Sequence, residues 1–208
     1  MEEHFETGRL EAFSDGVFAI AITLLVLELS VPEDDFDDLL VGILDQWPSY
    51  LAYLTSFLTI GGVWLIHHAI LRRMRYADSW IVRMNLVLLL VVSFLPFPTK
   101  LVAEAISSTS AERVAVLFYG ATLLGISVIV SAMGRYVAAR DALRLEGVTP
   151  SDMRTVVALA EPSLGFYVSL LVLAIFVPRI AAFGLLAVAA ATVALPPRLV
   201  SRRLRRVA

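Results

Sequence analysis

The sequence predicts an all-α, polytopic membrane protein: six transmembrane helices in a single domain over residues 1–208, N-in/C-in. Three observations predict it. Hydrophobic residues make up 59% of the chain and the mean hydropathy is +0.81, against roughly 45–50% apolar usage in soluble domains. Apolar windows long enough for a tilted helix through a bilayer recur along the chain, each bounded by charge or proline. The basic residues are segregated into alternate loops, although the formal net charge is only −2.

The windows fall at 13–31, 47–71, 80–97, 113–138, 154–177 and 179–200. The first follows an acidic N-terminal stretch and precedes no A-x-A-like cleavage site, so it is expected to stay in the mature chain. Between the first and second windows, "VPEDDFDDLLVGILDQ" brings together Glu33, Asp34, Asp35, Asp37, Asp38 and Asp45. This acidic collar reads either as a local field that attracts cations or as a solvated loop. Gly61 and Gly62 lie inside the second window, where small residues permit close helix packing. Only "VPRI" (177–180) separates the last two windows, so they form a helical hairpin turning at Pro178 and Arg179 or one long kinked helix. Their combined length, about twice what a bilayer needs, favours the hairpin.

Orientation follows from the basic residues, which concentrate in short cytoplasmic loops. With the N-terminus inside, the cytoplasmic side holds Arg9; Arg72, Arg73, Arg75 and Arg83; Arg135, Arg140, Arg144 and Arg154; and Arg198, Arg202, Arg203, Arg205 and Arg206. That is 14 of the 17 basic residues, leaving Lys100, Arg113 and Arg179 outside. Directly after a span, the arginine-rich tail is read as a contact for anionic lipid rather than for nucleic acid. The chain has no cysteine, which removes disulfides and thiolate metal sites. No P-loop, H-E-x-x-H or G-x-S-x-G pattern occurs, so an enzyme is not expected, and nothing calls for a cofactor or a resident metal.

Threading the six windows in this orientation places five polar residues at one depth near the inner side: Asp15, His67, His68, Asn85 and Glu161. An ionisable group at membrane depth is costly and seeks a partner, so the layer reads as a functional relay or as a hydrogen-bonded clamp in which His and Asn satisfy Asp15. Helical geometry adds one constraint. At about 100° per residue, Ile20, Leu24 and Leu27 fall within about 60° of one another, Thr23 lies about 60° to one side of Ile20, and Asp15 lies about 140° away. If the Ile20/Leu24/Leu27 stripe faces a pore axis, Asp15 faces neighbouring helices and acts as a brace.

The pattern R-x-x-x-F-S-D-G, formed by Arg9, Phe13, Ser14, Asp15 and Gly16 and followed by "VFAIAITLLVLEL", resembles the first-helix signature of the prokaryotic relatives of the endolysosomal potassium channel called transmembrane protein 175. The six-helix layout agrees along the whole chain, outside the first helix mostly in hydropathy. The resemblance implies a homotetrameric, potassium-selective, leak-type channel of the prokaryotic cytoplasmic membrane, with the first helix of each subunit lining the pore and potassium ions as the permeant partner. It further implies that Ile20 forms the narrowest apolar ring, that Thr23 bears on selectivity, that Leu24 and Leu27 are further pore positions, and that the arginine, serine and acid of the motif are structural. The T-V-G-Y-G filter of ordinary potassium channels is absent here, as in that family. Animal members carry two such repeats per chain, whereas the motif occurs once here, so four copies are expected to close the pore.

The alternative from another class is a secondary transporter or proton-coupled carrier using Asp15, His67, His68 and Glu161 as a relay, with Pro162 freeing a backbone carbonyl beside Glu161. No inverted pair of broken helices accompanies it.

Overall fold

The computed structural model describes residues 5–30, 38–105, 109–158 and 161–194, among which the ordered elements are helical. Helix α1 (Thr7–Leu24) tightens into a 3-10 turn over Leu25–Glu28. A short α2 (Leu39–Asp45), capped by the Asp38 side chain, leads into α3 (Trp47–Leu71). Next come α4 (Ser79–Phe94), α5 (Pro96–Ala105) and α6 (Thr109–Ala138). The chain closes with α7 (Pro150–Val157), α8 (Glu161–Phe176) and α9 (Pro178–Ala194).

Helix α6 is the hub, packing against α3, α4, α5, α7, α8 and α9, while α1 lies to one side on α3 and α4. The core is filled by fully buried Phe18, Leu25, Ile60, Ile70, Leu88, Leu123, Ile126 and Met133, drawn from α1 and its 3-10 turn, α3, α4 and α6. Four stretches are long and apolar enough to cross a bilayer: Thr7–Glu28, Trp47–Leu71, Ser79–Ala105 and Ala111–Ala138. Two shorter apolar helices, Leu164–Phe176 and Pro178–Ala191, complete the bundle.

The helices depart from the predicted windows in two main places. The third continues through Pro96 and Pro98 to Ala105. Proline is tolerated in the first turn of a helix, where its missing N–H has no intrahelical acceptor anyway, so the pair restarts the helix as α5. The predicted window 154–177 is divided: α7 opens on a capping box between Thr149 and Asp152 and stops at Ala158, and α8 begins at Glu161. Gly61 has open space where a side chain would go, whereas its neighbour Gly62 is buried. At Gly134 a Cβ would meet Val157 Cγ2 at 2.4 Å and Ile70 Cδ1 at 3.3 Å.

Helices α8 and α9 pack on each other across Val177, which settles the last pair as a hairpin. Leu170 and Gly184, each seven residues from Val177, face each other so closely that a Cβ on Gly184 would lie 2.4 Å from Leu170 Cδ2.

One end of the bundle is knotted by loop contacts. Phe5 and Ala77 exchange backbone hydrogen bonds of 2.8 and 3.0 Å, and the Arg75 and Leu145 amides donate to Leu143 and Arg73 at 2.8 and 3.0 Å. Asp78 caps α4 through the Ile81 amide and accepts the Tyr136 hydroxyl at 2.7 Å, with Arg140 3.5 Å away. Buried Arg144 donates to the Val137 and Ala138 carbonyls at the end of α6, at 3.2 and 2.6 Å, and pairs with Asp141. These basic segments are the ones that sequence analysis groups on one side. At the other end Lys100 lies 3.6 Å from Glu28, and Arg179 donates to buried Glu112 at 3.2 Å.

Candidate functional site on the first helix

Helix α1 presents two different faces. Toward α3 and α4 it turns Ser14, Phe18, Ala21 and Leu25, all buried. Away from them it leaves Phe13 55%, Ile20 61%, Leu24 42% and Leu27 72% exposed, with Arg9, Gly16 and Thr23 on the same open side. Only 22% of its most apolar window is buried, against 39–56% in the other three long stretches. Thr23 Oγ1 donates to the Ile20 carbonyl at 3.0 Å, which satisfies its proton within the helix and leaves both of the exposed oxygen's lone pairs free to accept.

The closed face is held by polar contacts of two separate sets. In the first, wholly buried, Asn85 Nδ2 donates to Ser14 Oγ at 3.0 Å, Asn85 Oδ1 meets His67 Nε2 at 2.7 Å, and Ser14 Oγ donates to the Leu10 carbonyl at 2.7 Å. Phe18 packs on the His67 ring with centroids 5.4 Å apart. A buried amide keeps its cost low by having both its ends engaged, which Ser14 and His67 accomplish here.

The second set lies beside it and is half-exposed. The indole Nε1 of Trp64 donates to Asp15 Oδ1 at 2.8 Å, and His68 Nδ1 stands 2.6 Å from Glu11 Oε1. Glu11 and Asp15 are one turn apart on α1, as are Trp64 and His68 on α3, so two i,i+4 pairs meet rung to rung across the helix interface.

The five-residue layer therefore divides. His67 and Asn85 are joined, but to Ser14 and not to Asp15 as the sequence reading had it. Asp15 instead takes an indole that sequence reasoning passed over, because a tryptophan within "GGVWLIHH" reads as one more apolar side chain. His68 pairs with Glu11, also unforeseen. Glu161 begins α8, and its side chain lies outside the described residues, as do the acidic residues over 31–37 and the arginine-rich tail. Arg9 is exposed and makes no hydrogen bond or ion pair with another described residue. Glu28, which pins the other end of α1 to Lys100, gave no signal beyond its charge at the end of an apolar run.

Both ends of α1 are thus tied to neighbouring helices while its middle shows an uncovered apolar stripe. Together with the four long apolar stretches, this defines a multi-pass helical membrane protein whose first long stretch is the least covered of the four by the described residues. A family model described as "Endosomal/lysosomal potassium channel TMEM175" matches residues 9–96, from Arg9 of the motif through α4. A potassium channel of Chamaesiphon minutus is 45% identical over 144 residues, covering 68% of this chain and 70% of the relative. A potassium channel of Streptomyces collinus is 38% identical over 185 residues, covering 88% and 90%. The fold superposes on the crystal structure of a lysosomal potassium-selective channel TMEM175 homologue from Chamaesiphon minutus with a TM-score of 0.78, at 35% identity over 89% of this chain and 95% of that one. The chain belongs to the TMEM175 family, and these relatives are named as ion channels, not enzymes.

Proposed function

We propose that the chain is one subunit of a homotetrameric, potassium-selective, leak-type channel in a prokaryotic cytoplasmic membrane, with α1 of each subunit lining the pore. The observation that carries the proposal is the uncovered stripe of Ile20, Leu24 and Leu27 on the least buried of the four long apolar stretches, opposite a face fixed by Ser14 and Asp15. Cyclic symmetry supplies an axis on which four such stripes meet. Ile20 is the narrowest ring and conducts only when wetted, Thr23 offers the nearest hydroxyl to a passing ion, and Leu24 and Leu27 continue the lining.

Six crossings fit this assembly, with both termini inside. Helices α8 and α9, at 16 and 17 residues, measure about 24 and 26 Å. With flanking residues and local thinning they match a hydrocarbon core of roughly 30 Å. The carrier reading draws less support. Asp15 and His68 are engaged with Trp64 and Glu11, His67 with Asn85, and the two sets share no hydrogen bond among the described residues.

The test is reconstitution of the purified protein in planar bilayers. Current that reverses at the potassium equilibrium potential without a coupled ion supports the channel. Transport that requires counter-flux of a second ion would establish the carrier instead. Cross-linking in the membrane that stops at four subunits supports the tetramer.

A further inference from the structure

We infer that Glu11, Asp15 and His68 form a binding site for a divalent transition cation such as Zn2+, placed where α1 meets α3. One ligand atom from each residue lies within 4.8 Å of the other two, and all three side chains are half-buried, so the cluster is both gathered and reachable from water. The donor set is two carboxylates and one imidazole nitrogen. Imidazole suits zinc and its neighbours, whereas calcium and magnesium take oxygen ligands, so the chemistry selects the transition series. Three protein ligands with a fourth position left to water is the pattern of accessible zinc sites.

The spacing admits such an ion. Zn–N and Zn–O bonds of about 2.0–2.2 Å set tetrahedral ligand atoms roughly 3.3–3.6 Å apart. The present separations bracket that value, from 2.6 Å between His68 Nδ1 and Glu11 Oε1 up to the 4.8 Å limit. A shift of about 1 Å by flexible carboxylates converts one arrangement into the other. Asp15 is already oriented from behind, because Trp64 Nε1 donates to Oδ1 and leaves Oδ2 for a second partner. That outer hydrogen bond is the kind that steers a carboxylate ligand toward a metal.

The consequence rests on the channel reading. Two ligands come from α1 and one from α3, so the cation staples the inner end of the pore-lining helix to its neighbour and opposes any rotation or separation of α1 that opens the Ile20 ring. Zinc on the inner side then lowers the current.

Binding and current are measured separately on the tag-free full-length protein. Titration calorimetry with zinc should give one strong site per chain, weakened about tenfold or more in His68→Gln and in Glu11→Gln and retained in His4→Ala. Glu11→Gln, at a half-exposed position, keeps the test valid if His68→Gln does not fold. Absence of stoichiometric binding, binding unchanged in both variants, or binding lost only in His4→Ala overturns the site. In bilayers, zinc added on the inner side should reduce wild-type current and spare Glu11→Gln. Binding without that reduction overturns the coupling to α1, whereas a zinc-binding protein that carries no current under any gradient counts against the channel reading and leaves the site standing.

Discussion

The indole nitrogen of Trp64 donates to the carboxylate of Asp15 across 2.8 Å, joining the acid of the first-helix motif to the middle of α3. A hydrogen bond to a charged acceptor contributes about 1.5–3 kcal/mol, and removing the donor leaves the half-buried carboxylate with part of its desolvation unrepaid. Trp64→Phe, which keeps the ring and deletes the donor, should lower the melting temperature in detergent. Asp15→Asn retains an oxygen that can accept from the indole and should cost less than Asp15→Ala. Equal melting points for all three variants and the wild type would remove Asp15 from the bracing role.

The buried Ser14, Asn85 and His67 set makes a sharper demand. Asn85→Leu leaves His67 Nε2 without its partner, at about 1–3 kcal/mol, and takes one accepted bond from Ser14, whose hydroxyl still donates to the Leu10 carbonyl. Ser14→Ala should cost less, since one end of the amide stays engaged. The double variant should then fall short of the sum of the two single losses, because both act on one network. Strict additivity in thermal unfolding would mean that the two side chains are not energetically coupled.

What the sequence could reveal here was set by periodicity, and what it hid was set by single contacts. The angular separation of Asp15 from Ile20, Leu24 and Leu27 is a property of any straight helix, and α1 is divided accordingly into an engaged and an open side. Ser14 and Asp15 sit about 100° apart on that helix, so they meet different neighbours, and no spacing rule decides which of them takes Asn85 and which Trp64. Pro96 and Pro98 read as a stop because a breaker and a first-turn residue look alike in sequence. The break after Ala158 is marked in the sequence by Glu161 and Pro162 at the start of α8, but inside an apolar window that pair reads equally as a kink in one helix.

Glycine positions on α6 separate packing from propensity. Gly134→Ala places a Cβ 2.4 Å from Val157 Cγ2, and Val157 is β-branched and buried, so the helices must part and the loss should be about 1–3 kcal/mol. Gly125 has nothing within 4 Å, so Gly125→Ala should be neutral or gain up to about 1 kcal/mol from helix propensity. Paired thermal melts of the two variants decide the matter, and a melting point for Gly134→Ala at or above that of Gly125→Ala would show that α6 and α7 do not pack this closely.

The open stripe supplies the most direct test of conduction. In the proposed tetramer, four Ile20 side chains on the axis would leave an opening too narrow for a hydrated cation and offer no polar ligand in place of its water, which makes that ring the main barrier in the proposal. Ile20→Asn should wet the ring, raise basal potassium current and weaken discrimination against sodium. Thr23 lies about one turn further along α1, with its hydroxyl on the exposed side. Thr23→Ala should therefore change the ratio of potassium to sodium current while leaving closure nearly intact. Leu24→Asn shares the stripe, at 42% exposure against 61% for Ile20, but sits beyond the tightest point, so its effect on basal current should be the smaller. Bilayer currents of the three variants under potassium and sodium gradients, with tetramer yield as the control for assembly, give the answer. If Ile20→Asn assembles normally and leaves both current and ion preference unchanged, α1 does not line the pore through Ile20, and its uncovered face belongs to lipid or to a neighbouring subunit away from the axis.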